Sequence, residues 1–158
     1  MRTWIAISLV AALAAPAVAD TARADRPRPM QANQVEVGCD FIEIVATSGK
    51  DASVDGELKP LEKRLKRLKN WNQFKQASKT TKTLATKKPE KLKLKNFTAT
   101  ATLVEVVNKS QVRLNLELED GKGKVVANQT QLVSAADWVI TAYVQTNGDG
   151  YLLAASCK

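Results

Sequence analysis

The 158-residue chain contains no histidine. That absence removes the Ser-His-Asp and Cys-His nucleophile arrangements, imidazole acid–base chemistry and the usual zinc sites. Aromatic residues are few, with three Trp, two Tyr and three Phe, so a core has to come from Val, Leu and Ile. There are only two cysteines, Cys39 and Cys157, at a spacing that matches no metal-ligand or redox motif. Long apolar runs are absent beyond residue 20, and a bilayer-crossing helix needs about 20 consecutive apolar residues.

What is present begins with a leader pattern. Arg2 supplies a positive end, Trp4 to Ala15 are apolar, Pro16 breaks the run, and Ala17-Val18-Ala19 forms a small-x-small cleavage site. Residues 1–19 therefore read as a signal peptide, with cleavage expected before Asp20. No cysteine follows that site, so a lipid anchor is not indicated. Residues 20–34 carry Pro27, Pro29 and three arginines without any helical or strand period, and read as a disordered arm. A single helix-plus-β domain is expected over 35–158. Loss of the leader leaves 139 residues with net charge +7, long enough to bury a core. Export to a periplasmic or extracellular compartment favours a disulfide between Cys39 and Cys157. The competing reading is two separate buried thiols acting as small apolar residues.

Charge is strongly segregated. Leu58–Lys95 holds 14 of the 24 Lys and Arg residues and only two acids, Glu62 and Glu90, a local charge of +12. Within it, Leu58, Leu61, Leu65 and Leu68 are spaced three, four and three apart, which places them in one stripe of an amphipathic helix. Lys59, Lys63, Lys66 and Arg67 fall on its other side. Asp55 is the expected N-cap, Pro60 sits in the first turn, and Asn70 and Asn72 mark the end. A globular core requires such a stripe, so docking inside the domain is preferred to lying in a membrane interface.

The remaining segments read as strands. Val35, Val37, Cys39 and Phe41 alternate with Glu36, Gly38 and Asp40, after which the apolar phase slips to Ile42 and Ile44. Such a slip implies either a bulge or a strand passing between two environments. Thr47 to Ser53 reads as a loop. Phe74 to Lys88 reads as one strand with a soft end, or alternatively a linker. Lys91, Lys93 and Lys95 alternate with leucines and are expected on one outward face. Thr98–Val107, Val112–Leu118, Val125–Val133, Trp138–Gln145 and Tyr151–Cys157 complete a series of hairpins, with Asp120-Gly121 the strongest turn signal. The expected fold is α+β and mainly antiparallel β. It is a sandwich or partly closed barrel of about eight strands, with one amphipathic helix near the N-terminus capping an open edge or end.

The pattern Leu58-x2-Leu61-x3-Leu65-Lys66, then Trp71 and Phe74-Lys75, then glycine-marked hairpins ending in Gly150-Tyr151-Leu152-Leu153-Ala154, resembles small bacterial exported proteins without an assigned activity. Those are domains of one basic helix followed by β-hairpins. The resemblance implies compartment and architecture, and no activity, cofactor or site residue.

The candidate site is the set Lys59, Lys63, Lys66, Arg67, Lys91, Lys93 and Lys95, a field for phosphates, acidic glycans or anionic headgroups. The competing reading is that lysines blunt a sheet edge and solvate a helix. Nucleic acid is not the expected partner, since the interleaved aromatics are only Trp71, Phe74 and Phe97. Glu117 and Glu119 share a strand face, but as the wet side of a hairpin rather than a glycosidase pair. Asn147-Gly148-Asp149-Gly150 lacks the further acids of a calcium loop and reads as a turn. Three N-glycosylation patterns, at Asn96, Asn108 and Asn128, matter only in a eukaryotic secretory route. No catalytic residue, metal or cofactor is assigned. The expected function is a non-enzymatic exported domain contacting anionic envelope or extracellular polymers. The alternative is a protein-interaction or envelope-assembly module, and an enzyme built on carboxylates or lysine ranks third.

Overall fold

The first strand, β1 (Glu36–Thr47), is the centre of the molecule. It pairs antiparallel with β3 (Gln73–Ala85) on one side and with β9 (Gly150–Cys157) on the other. A computed structural model describes residues 34–158, so the expected signal peptide and nearly all of the expected disordered arm lie outside the described residues. Asn33–Lys158 forms one compact unit.

Among the described residues there are nine strands. Beyond those named, they are β2 (Ser53–Val54), β4 (Pro89–Lys93), β5 (Thr98–Asn108), β6 (Gln111–Glu119), β7 (Val125–Ser134) and β8 (Val139–Val144). They make a five-stranded sheet in the order β2-β3-β1-β9-β8 and a four-stranded sheet in the order β4-β5-β6-β7. Every pairing is antiparallel except β2 with β3. Neither sheet closes into a barrel. The strand beyond the expected eight is β2, a two-residue piece at the end of the stretch read as a loop.

The sheets pack face to face through a core to which both contribute. Cys39, Phe41, Leu84, Leu153 and Ala155 enter from the five-stranded sheet, and Leu92, Ala101, Leu103, Leu114, Leu116 and Leu118 from the other. The alternation read along β6 is thus a true inward face. A second core lies on the opposite face of the five-stranded sheet, where Ile42, Ile44, Ala46, Leu152 and Ala154 meet Leu58, Leu61, Leu65, Trp71 and Phe74. The phase slip in β1 follows directly. The strand is apolar on one face near Cys39 and on the other near Ile44, because each face has its own cover. A bulge exists as well, but on β3: Glu43 pairs with Ser78 and Ile44 with Gln76, leaving Ala77 as the extra residue.

The helix departs from expectation. Gly56–Leu61 is a 3-10 helix, followed by a single α-helical turn, α1 (Glu62–Leu65), ten residues in all. It lies between β2 and β3 rather than near the N-terminus, and it covers a sheet face rather than an edge or end. Pro60 offers no N–H, so regular α bonding begins only after it. Asp55 makes no side-chain cap bond. Its carboxylate instead accepts the backbone N–H of Gln76 on β3 at 3.3 Å. The leucine stripe nevertheless docks as read, with Leu58, Leu61 and Leu65 fully buried.

Cys39 and Cys157 are cross-strand neighbours on β1 and β9 and form a disulfide between residues 118 apart in sequence. The Asp120 turn is held by the Asp120 carboxylate, which accepts the N–H groups of Lys122 and Lys124 at 2.9 Å each. These bonds, that of Lys124 first, hold its pKa below the usual carboxylate value. The residue in the left-handed region is Gly123, with φ of 76°, not the Gly121 of the sequence signal.

Candidate functional site

Layer order decides which lysines can act together. Lys59, Lys63, Lys66 and Arg67 are exposed on the helical layer, outside the five-stranded sheet. Leu92 of β4 points into the inter-sheet core, so its neighbours Lys91 and Lys93 point away, onto the outer face of the four-stranded sheet. The helical cations and the β4 cations therefore occupy opposite outer surfaces of a three-layered molecule. Lys95 lies beyond the end of β4, in the turn to β5.

Ion pairs differentiate the set further. Lys66 pairs with Glu62 one helical turn away at 2.5 Å, and Arg64 of the same segment pairs with Asp137 at 2.5 Å. Both are exposed pairs of small energetic weight, but each neutralises one helical cation. The pairing lowers the Glu62 pKa, with the Lys66 hydrogen bond the main cause. On the four-stranded sheet, cross-strand rows run Lys91–Thr100–Glu117–Asn128 and Lys93–Thr98–Glu119–Val125. Glu117 accepts from Asn128 at 2.9 Å, and Asn128 in turn accepts from Asn115 at 2.8 Å. Glu117 thus belongs to a hydrogen-bonded ladder on the outer face of that sheet, and Glu119 shares that face two residues along β6.

What the fold does bring together is the side of the sandwich where β3 and β4 end their sheets. From Lys75 onward β3 has no strand paired on its outer side, because β2 reaches only Gln73 and Phe74. β4 is the end strand of the other sheet. The connection ties the two, with Thr86 bridging to Leu103 and the Lys87 N–H donating to the Leu103 carbonyl at 2.7 Å. Over Gln73–Lys95 there are eight lysines, Lys75, Lys79, Lys82, Lys87, Lys88, Lys91, Lys93 and Lys95, all exposed, against the single acid Glu90. Glu90 is itself paired with Lys88 at 3.2 Å. Two adjoining sheet edges thus carry a net +7. Lys75, Lys79, Lys82, Lys87 and Lys88 lie outside the expected set. Their sequence signal was the lysine spacing of a threonine-rich run, which gains meaning only once that run is an edge strand.

A buried acid fixes this edge. Glu43 on β1 is only 2% exposed. Its carboxylate accepts the Ser78 hydroxyl at 2.6 Å and the backbone N–H groups of Lys95 at 2.7 Å and Asn96 at 2.9 Å. One side chain therefore joins β1, β3 and the β4–β5 turn, holding the two lysine-bearing edges in register. The same turn packs Phe97 on Tyr151, ring centres 4.2 Å apart. Burial, then the charge of Glu43, raises the Tyr151 pKa. Trp71 and Phe74 are buried in the helical core, so with Phe97 half-buried these aromatics build no exposed stacking platform. Asp40, beside the β3 edge, accepts from Thr81 at 2.6 Å and meets Lys158 at 3.1 Å, which together lower its pKa.

Among the described residues, no three Cys, Asp or Glu side chains group so as to hold a metal ion, and no helix is long and apolar enough to cross a membrane. No protein-family model, curated protein or solved structure matches the chain.

Proposed function

We propose that the chain is an exported, non-enzymatic binding domain that holds anionic envelope or extracellular polymers along the joined edges of β3 and β4. The observation that carries this reading is the eight exposed lysines on two adjoining edge strands, opposed by one already paired acid. A field of one sign attracts and retains a polyanion, and each phosphate or sulfate held releases counterions, so binding weakens steeply with salt. The disulfide suits an oxidising compartment. The helical cations are secondary in this reading, because they lie on the surface opposite the β4 lysines and share it with Glu62 and Asp137.

The test is binding of long-chain polyphosphate and of a sulfated glycan across a salt series. Replacing Lys79, Lys82, Lys91 and Lys93 together by Gln is expected to weaken binding by at least about tenfold and to flatten the salt slope. Replacing Lys59, Lys63 and Arg67 is expected to change it little. Absence of measurable binding to either polymer at low salt eliminates the reading. A second reading, an envelope-assembly module, is favoured by the unpaired outer edge of β3. In that case neutralising Lys91, Lys93 and Lys95 leaves partner binding intact.

A further inference from the structure

The backbone of β3 offers more than charge. The strand pairings fix which of its groups are already used. The Thr86 N–H donates to Val35, and Gly38 accepts from Lys158 beyond the end of β9. Odd-numbered residues of β1 up to Glu43 therefore turn their hydrogen-bonding groups toward β3, and even-numbered ones toward β9. Cys39 faces Lys82, Phe41 faces Thr80 and Glu43 faces Ser78 as bonded pairs, whereas Gly38, Asp40 and Ile42 face Thr83, Thr81 and Lys79 as unbonded ones. The N–H and C=O groups of Lys79, Thr81 and Thr83 accordingly point outward from the open edge, and all three residues are exposed. Before the Ala77 bulge the same edge is already in use. Asn72 and Phe74 accept from Ser53 and Asp55 of the β2 segment, and the Gln76 N–H reaches the Asp55 carboxylate.

We infer that the Lys79–Thr83 edge takes an extended acidic polypeptide as an added strand. This rests on the anionic-polymer reading and narrows the polymer to one with a backbone that can pair. Lys79 lies on the helical-layer face of β3 and Lys82 on the inter-sheet face, since their partners Ile42 and Cys39 face those two cores. An added strand is thus flanked by a lysine on each face, three residues apart, and a run of consecutive acidic residues satisfies both. A second copy of this chain does not fit, because pairing edge to edge brings two lysine-rich strands of the same charge side by side, the arrangement by which native edges resist self-association.

The experiment uses three probes with the full chain at low salt: a capped octapeptide of glutamates, the same octapeptide N-methylated at every residue, and polyphosphate. Amide hydrogen exchange is followed by NMR alongside the affinities. The expected result is protection of the Lys79, Thr81 and Thr83 amides by the first peptide and an affinity at least tenfold lower for the methylated one. Thr83→Pro, which removes one outward donor and no bond to β1, is expected to weaken the first peptide while leaving polyphosphate binding unchanged. If both peptides and polyphosphate bind with similar affinity and no edge amide is protected, the added-strand inference is wrong and the electrostatic reading survives. If none of the three binds, both are wrong.

Discussion

The indole of Trp71 occupies the space above Gly150: a Cβ placed on Gly150 meets the ring at 2.5 Å. The same indole donates its N–H to the Gly148 carbonyl at 2.9 Å. The β8–β9 turn is thereby clamped to the segment that follows the helix. Neither backbone nor ring can move far, because Trp71 is buried in the helical core. Gly150→Ala is expected to destabilise the domain by about 1–3 kcal/mol, the usual range for overpacking a filled site. Urea denaturation of the two proteins measures it, and an unchanged midpoint refutes the clamp.

Glu43 makes a second prediction. Ala at this position leaves two backbone N–H groups and one hydroxyl without their acceptor in a part-buried place, which costs about 1–3 kcal/mol. Glu43→Gln keeps one acceptor oxygen but sets an NH2 group against a backbone N–H, so an intermediate loss is expected. Hydrogen exchange at Lys95 and Asn96 should rise in both variants, in the same order as the stability losses.

The disulfide closes a long loop, its ends 118 positions apart in sequence. The lost freedom of the unfolded chain corresponds to about 4–5 kcal/mol. A Cys39→Ala, Cys157→Ala double variant is expected to lose stability of that order and to become indifferent to reductant. Both cysteines are buried in the inter-sheet core, so alanine also leaves a small packing defect.

Acid should destabilise the protein. Asp40, Asp120 and Asp137 all have pKa values held below the ordinary aspartate value, chiefly by the Thr81 hydroxyl, the Lys124 N–H and the Trp138 N–H respectively. The folded state therefore binds fewer protons than the unfolded chain in this range. Their contribution is present above about pH 4 and is lost as pH falls through the lowered values. Tyr151 has the opposite sign: its raised pKa contributes stability below pH 10 that is lost as pH rises through the folded value. Thermal midpoints from pH 2 to 7 should fall on the acid side, and less so in Thr81→Ala.

Much of the architecture was readable in residue order. Hairpin phases survive because a strand with one wet face displays its register, as Val112 to Leu118 do. The leucine stripe at Leu58, Leu61 and Leu65 was visible for the same reason, although Pro60 shortened the helix it belongs to. Glu43 was not visible. In an alternating strand an acid looks like a solvent-facing residue, and only the approach of the β4–β5 turn gives it partners. The lysine set was misgrouped for a related reason. Proximity in sequence placed the helix and β4 on one face, whereas the five-stranded sheet passes between them.

The pairing of β1 with β9 has a consequence for the order of assembly. A chain that emerges N-terminus first, from a ribosome or a translocation pore, can give β1 only one neighbour, β3, until the final strand is out. Both hydrophobic cores include side chains of that last strand: Leu153 and Ala155 in one, Leu152 and Ala154 in the other. Neither core is complete before residue 157 has been delivered, so the domain stays open through its synthesis or passage and closes in one late step, with Cys157 arriving opposite a Cys39 that has waited since the beginning.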